Sequence, residues 1–531
     1  MDKVFRINMT NLTTCIEEVP EQWIGLGGRA LTSTIVAAEV PPLCHPLGSD
    51  NILVFAPGLL SGTAAAQSGR MSCGAKSPLT GGIKESNSGG TTAQQFARMG
   101  IKAMIIEGLP AADTFYSLHV TMDGVTIEEE SSLLGKGNFA VIEDQVAKKG
   151  KKIGVMTIGL AGELKMAAAN ISVKDPDGKI RSHGQGGMGA VMGSKKIKFI
   201  TVDSEGSPAV PLVDADKFKA SARVFAKTLL DHPVSGEGLP TYGTNVLVNI
   251  LNEVGGLPTH NFRFGQFDGQ GFEYETIWGL GANCCIDNLD QIAEADSIMD
   301  DVGVDSIETA VTIGVAMEAG IIPFGDGEGM LRLLRDELAK GTPLGRIIGS
   351  GAGLLGKIYG VTRVPVVKNQ AIPAYDPRSV KGIGITYATS PMGADHTAGY
   401  TIASNILGVG EFVDPLSKVG QVELSRNLQI ATAAIDSTGM CIFIAFPALD
   451  DAACLPALID MINARFGTEL SGDDVTELGK KVMRLEHQFN IDAGLNNKHD
   501  RLPEFFKTDP LPPHNAVWDF TDDEIDEFWN F

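Results

Sequence analysis

The chain is poor in patterned cysteine and histidine. Its seven cysteines (15, 44, 73, 284, 285, 441, 454) contain no C-x-x-C pair, and such an odd, scattered set reads as reduced thiols rather than a disulfide framework. The nine histidines include no H-x-H or H-x-x-x-H, so the spacings of a chain-encoded zinc or iron site are missing. Positive charge is also short. Forty-three Lys and Arg against 65 Asp and Glu leave a net −22, which argues against a surface that tracks nucleic-acid phosphates or anionic lipid. No apolar run approaches the ~18 residues of a membrane span. The nearest, ILVFAPGLLSGTAAA (52–66), is broken by Pro57, Gly58 and Gly62, and the start MDKVFRINMTN lacks the apolar core of a signal peptide. These absences predict a cytoplasmic protein with no membrane span and no nucleic-acid partner. Any transition metal in it would be held by something other than side chains.

What is present is a globular composition: 531 residues, 43% apolar, 20% charged, with 63 glycines, enough chain for about three domains. Strand-like runs alternate with glycine-rich turns up to Asp203: VFRIN, NILVFA (51–56), KAMIIEG (102–108), YSLHVTM (116–122), KIGVMTIG (152–159) and KIKFITVD (196–203), with a helix at TTAQQFARM (91–99). The Ser/Gly/Pro connector SEGSPAVPL (204–212) follows. Beyond it helical periodicity takes over at 214–230, 288–300, 307–320, 417–436 and 474–490, interrupted by the four-proline stretch 360–377. The expected fold class is α+β: a β-rich domain (1–205) followed by two mainly α-helical domains (206–365 and 366–531).

Two stretches of the helical part echo each other. DDVGVD (300–305) and DSTGMC (436–441) both read Asp, two free positions, Gly, an apolar residue, then Asp or Cys. Each ends a helical pattern, where free backbone groups can meet a ligand, although Asp-x-x-Gly is also an ordinary left-handed helix exit. GQGGMG (184–189) satisfies G-x-G-x-x-G but follows the polar, turn-like DPDGKIRSH (175–183), so no βαβ unit fits a dinucleotide site. GAGLLG (351–356) lies inside a helical pattern. The loops GQGGMGAVMGSK (184–195) and SPLTGGIKESNSGG (77–90) can instead present backbone N–H groups to an anion such as phosphate.

GLGGRAL (25–31), SGRMS (68–72), KSPLTGGIKESNSGG (76–90), GQGGMGAVMGSKKIK (184–198), FEYET (272–276), DDVGVD, YATSPMGADH (387–396), DSTGMC and LPEFF (502–506) stand in the order seen in the aldehyde:ferredoxin oxidoreductase family. The resemblance runs over nearly the whole chain. It implies an enzyme oxidising an aldehyde or related small molecule at a tungsten, or molybdenum, held by the dithiolenes of two pyranopterins. By it the echo loops bind the pterins through Asp300, Asp305 and Asp436, whose carboxylates suit paired N–H donors, while Gly303 and Gly439 admit close backbone approach. Arg70 would reach pterin phosphate or ring. Asn87, with a carbonyl near Ser182 or His183, would ligate a bridging magnesium, and Gly186, Gly187 and Gly189 would lie against the cofactor; Gln185 replaces an arginine common in relatives. Glu273 and His396 would flank the metal pocket as catalytic acid–base groups.

The larger departure from the family lies in one segment. Relatives carry C-x-x-C-x-x-x-C shortly before the equivalent of FEYET, but THNFRFGQFDGQGFEYET (259–276) has no cysteine. Cys441 stands where a fourth cluster thiolate belongs, and a [4Fe–4S] cluster normally takes four. The sequence therefore predicts no cluster in this chain, Cys441 as a thiol near a pterin, and electrons leaving to an iron–sulfur partner subunit or an external acceptor. The missing thiolates keep open a non-redox hydratase or lyase on the same metal–pterin centre, and a cofactor-free scaffold or carrier is a further alternative. The acidic, aromatic tail WDFTDDEIDEFWNF (518–531) reads either as a partner-docking segment or as a packed terminal helix.

Overall fold

Alternation along the first strand sets the layering of the N-terminal part. Val4 packs with Val54 and Ile105 on one face and Phe5 with Phe55 and Met104 on the other, all buried, as a period-2 strand between two apolar layers requires. The computed structural model describes residues 2–267 and 274–531, without the side chains at 245, 246 and 274. Strands β1 (Lys3–Asn8), β2 (Thr13–Glu18), β3 (Leu53–Pro57), β4 (Met71–Lys76), β5 (Ile83–Ser88) and β6 (Ile101–Glu107) form one sheet in the order β2-β1-β6-β3-β4-β5. Strands β7 (Phe115–Thr121), β8 (Gly124–Glu130), β9 (Gly154–Thr157), β10 (Ile171–Lys174), β11 (Ile180–His183) and β12 (Ile197–Val202) form a second, ordered β11-β10-β9-β12-β7-β8. Only β1–β6 and β7–β12 run parallel; the other neighbours are antiparallel. One apolar layer, with Phe5, Phe55 and Met104 from the first sheet and Leu118, Met156 and Ile200 from the second, fills the space between them.

The helix Gly28–Glu39 covers the outer face of the first sheet through Leu31, Ile35 and Val36 and packs on its other side against the helices Gln421–Thr438 and Gly472–Asp492. From residue 247 onward a large core runs from Leu247 and Trp278 through the helix Ser306–Glu318, buried from Ile307 to Met317, to Trp518 and Phe528, so the stretches on both sides of 360–377 contribute to it; Met440, Ile444 and the helix Cys454–Phe466 pack in a separate cluster with Phe218 and Phe225. The chain's last residues belong to this core. Trp518, Phe520, Ile525 and Phe528 are buried, Trp529 stacks on His487 with ring centroids 3.7 Å apart, and Arg426 donates to the carbonyls of Glu527 and Phe528. The tail is thus a packed terminus rather than a free arm.

Candidate functional site

One helix end and one helix start place the echo-loop aspartates at the same cavity. Asp305 caps the helix Ser306–Glu318: its Oδ2 accepts from the Glu308 N–H at 2.7 Å, and its Oδ1 accepts from the Gln185 N–H at 3.0 Å. One carboxylate therefore starts a helix and also pins the glycine-rich loop. Asp436 lies in the last turn of Gln421–Thr438, which Gly439 ends in the left-handed conformation at φ +82°. Its carboxylate meets the Arg29 guanidinium at 3.3 Å and accepts from Asn87 Nδ2 at 3.4 Å. Glycine is required on the facing backbone as well: a Cβ on Gly58 would stand 2.0 Å from the Gly439 nitrogen, and one on Gly28 2.2 Å from the Asp436 carbonyl oxygen.

The cavity between these walls, about 280 Å³, is lined by Arg29, Arg70, Lys84, Glu85, Asn87, Gly184, Gln185, Asp305, Asp395, His396 and Asp436, with Ile442 and Phe443 at one side. Its charges are held in pairs. Arg29 forks onto Glu486, which is wholly buried, at 2.9 and 2.7 Å, and Ser33 adds a bond to the same carboxylate. Lys84 meets Asp395 at 2.6 Å. Arg70 donates to Asn87 Oδ1 at 3.2 Å and lies 3.4 Å from the Cys441 sulfur. Burial, followed by repulsion from Asp436, pushes the Glu85 carboxyl up to about 8, against the pull of Arg29. Burial likewise lifts Asp436 to about 6 despite Arg29.

His396 stands at the far wall. Its Nδ1 lies 2.8 Å from Glu275 Oε1, its ring lies parallel to Tyr375 at 6.0 Å, and Tyr400 meets it edge-on at 6.4 Å. The two tyrosine hydroxyls share a 2.6 Å hydrogen bond. Burial disfavours the imidazolium, but Glu275, with Asp395 and Asp305 behind it, outweighs that and raises the His396 pKa. The pair is a buried carboxylate–imidazole couple able to hold a proton. Gln185 accepts from the His396 backbone N–H at 3.3 Å and donates to the Ala394 carbonyl at 3.4 Å, linking the glycine loop to this wall.

The structure gathers Arg70, Asn87, Asp305, His396 and Asp436 on this cavity, with Cys441 in contact through Arg70. Other expected residues sit elsewhere. Asp300 is not in the lining; its carbonyl accepts from Asn138, and burial together with Asp296 raises its carboxyl to about 7. Gly303 turns the chain against Gly159 and Asn138, Gly187 packs on Ala167, Gly189 packs on Asn170, and Gly186 lies over the Lys84 stem. These glycines shape the loops while Gly184 and Gln185 face the cavity. Ser182 accepts from Asn170, and His183 is buried, bonded to the Ser86 carbonyl and the Ser88 hydroxyl, its pKa lowered by that burial to about 4. Glu273 lies outside the described residues. Sequence reading missed Arg29, Lys84, Glu85, Glu275 and Asp395, although each falls inside a quoted motif; the available signal was a charge inside an otherwise apolar or glycine-rich stretch.

A bis-pterin group suits this donor set. Arg29, Arg70 and Lys84 put three buried or half-buried cations on the cavity, where they would suit phosphates, and the carboxyl oxygens of Asp305, Asp436 and Glu85 would suit ring N–H groups. Among the described residues no donor reaches Glu85 Oε1, the kind of vacancy a buried acceptor does not keep without a partner. Also among the described residues, no three His, Cys, Asp or Glu side chains gather as a metal-ligand set.

Family models agree along the chain. That described as "Aldehyde ferredoxin oxidoreductase, N-terminal domain" matches residues 4–204, and that described as "Aldehyde ferredoxin oxidoreductase, domains 2 & 3" matches 220–270 and 265–530. The chain is 34% identical to the tungsten-containing aldehyde ferredoxin oxidoreductase of Thermococcus kodakarensis and 33% to that of Pyrococcus furiosus, each over 96% of this chain and 92% of the relative. An aliphatic sulfonate oxidoreductase, WOR-like subunit, of Pyrococcus furiosus is 25% identical over 92% of this chain and 85% of its own. Among solved structures, the active site complex BamBC of benzoyl coenzyme A reductase, in complex with 1,5-dienoyl-CoA, shares the fold at TM-score 0.80 and 17% identity, covering 99% of this chain and 93% of that one. With nearly its full length matched by the family models and by these relatives, the chain belongs to the aldehyde ferredoxin oxidoreductase family and is an oxidoreductase.

Proposed function

We propose that this protein holds a tungsten, or molybdenum, bis-pyranopterin in the 280 Å³ cavity and oxidises an aldehyde to its acid. The observation that carries the reading is that one aspartate from each echo loop, Asp305 and Asp436, lines one cavity together with Arg29, Arg70 and Lys84. Asp305 and Asp436 would accept pterin N–H groups. Arg70 and Lys84 would meet phosphate oxygens, and Asn87 would offer its carboxamide oxygen to magnesium. When bound, the group supplies a Lewis-acidic centre and a sink for two electrons.

Aldehyde plus water yields acid, two electrons and two protons, so the site must handle protons in a place screened from solvent. The His396–Glu275 pair does this: the imidazole Nδ1 faces the Glu275 carboxylate, which raises the His396 pKa and so favours the proton-holding form of the ring. Tyr375 fixes the plane of that ring. The electrons leave to an iron–sulfur partner subunit or an external acceptor. The absence of the three-cysteine segment and the contact of Cys441 with Arg70 support a chain without its own cluster.

Metal analysis of anaerobically purified protein tests the reading: about one tungsten or molybdenum per chain with negligible iron is expected, alongside dye-linked aldehyde oxidation. Four irons per chain would refute the cluster-free part, and loaded protein inert towards every aldehyde would refute the reaction.

A further inference from the structure

Beside the polar cavity runs a second one of about 420 Å³, and its lining has the opposite character. The helix Gln421–Thr438, whose last turn gives Asp436 to the polar side, turns Leu428, Ala431, Ala434 and Ile435 into this groove; Leu458 and Ile459 of the helix Cys454–Phe466 face them. Ile442 and Phe443 line both cavities. Tyr400, in the groove wall, is the residue whose ring meets His396 and whose hydroxyl meets Tyr375. Phe443 stacks with Phe446 at 5.9 Å, and Tyr400 meets Phe446 edge-on at 6.2 Å, so an aromatic wall runs from the groove to the proton-holding pair. At the other end Leu449 and Leu455 are 40% and 38% exposed, which opens the groove to solvent.

The geometry points to this groove as the seat of the substrate's tail: the protein takes aldehydes bearing an extended alkyl or aryl-alkyl chain, with the carbonyl at the polar cavity and the chain between the two helices. This rests on the aldehyde reading above. A groove of this size lies within the range of small-molecule sites, which are mostly apolar with a few convergent polar groups at one end. The polar end is already built here. A purely structural void would have no reason to share a wall with the charged cavity, and a protein-docking groove would not need to reach it.

The experiment compares kcat/KM for acetaldehyde and decanal on the metal-loaded enzyme, and in parallel measures binding of acetate and decanoate, the product acids, by calorimetry. Each methylene leaving water favours binding by roughly three- to fourfold, so with only part of the chain seated the decanal-to-acetaldehyde ratio is expected to exceed ~30. Ala431→Trp, which fills the groove from an exposed position, is expected to reduce that ratio at least tenfold and to weaken decanoate but not acetate; Leu455→Trp on the opposite wall checks the same point should Ala431→Trp misfold. Decanoate binding that the tryptophans abolish supports the groove even if no aldehyde is turned over, in which case the aldehyde reading alone fails. A ratio near one, or decanoate binding indifferent to both tryptophans, overturns the inference.

Discussion

Arg29 shows how much of the site depends on single charges. It is buried, forked onto Glu486 and in contact with Asp436, so Arg29→Ala leaves two carboxylates without their cation. Breaking a buried pair by removing one partner destabilises by about 3–5 kcal/mol; a loss of that size is expected in denaturant unfolding, with Arg29→Lys intermediate because an ammonium cannot fork. Glu275→Gln removes the largest attraction that keeps His396 charged. The His396 limb of the kcat/KM–pH profile is then expected to move to lower pH. For stability the sign follows from the raised pKa: the pair's contribution is complete below pH 6.5, the ordinary histidine value, and fades as pH rises through the folded value. His183 runs the other way. Burial lowers it to about 4 from 6.5, so its contribution is complete above pH 6.5 and is lost as pH falls towards 4; His183→Gln is expected to flatten the acid limb of a melting-temperature curve over that window.

At the scale of elements, Asp305 ties a helix start to a loop. Asp305→Ala is expected to lower stability by about 1–2 kcal/mol for the lost cap and, because the Gln185 N–H loses its acceptor too, to reduce retained tungsten. Thermal melts and metal content measure the two effects separately. Gly58→Ala drives a Cβ to 2.0 Å from the Gly439 backbone nitrogen, a contact that no side-chain rotation relieves, so the 436–441 loop has to shift; soluble protein with depleted metal is the expected result. Much at this scale was legible in the sequence. The strand-like runs correspond to β1, β3, β6, β7, β9 and β12, and the five helical stretches to helices. The strands β4 and β5 did not read as strands, because Met71–Lys76 and Ile83–Ser88 carry Ser, Gly, Lys, Glu and Asn in place of an alternating apolar pattern. In β5 those polar residues, Lys84, Glu85, Ser86 and Asn87, line the cavity. The site was legible where motif and geometry coincide, at Asp305, Asp436, Arg70, Asn87 and His396. It was not legible at Asp300, whose spacing matches Asp436 while its helix points it elsewhere, or at Glu275, since no spacing rule couples it to a histidine so far along the chain.

At the scale of the molecule, cavity walls come from the first sheet, the glycine-rich loop and both helical stretches, so a bound cofactor would cross-link segments distant in sequence. Metal-loaded protein is expected to melt well above the metal-free form, the gap reflecting a ligand that binds only the folded state; scanning calorimetry on both preparations checks it. The buried Arg29–Glu486 fork has a further consequence for how the protein is made. Arg29 leaves the ribosome more than four hundred residues ahead of its partner carboxylate, and until Glu486 emerges the guanidinium has only part of its ionic surroundings. The polar cavity therefore cannot reach its final form during synthesis of the first domain, and any cofactor seated there would be loaded after translation, on a chain already nearly complete.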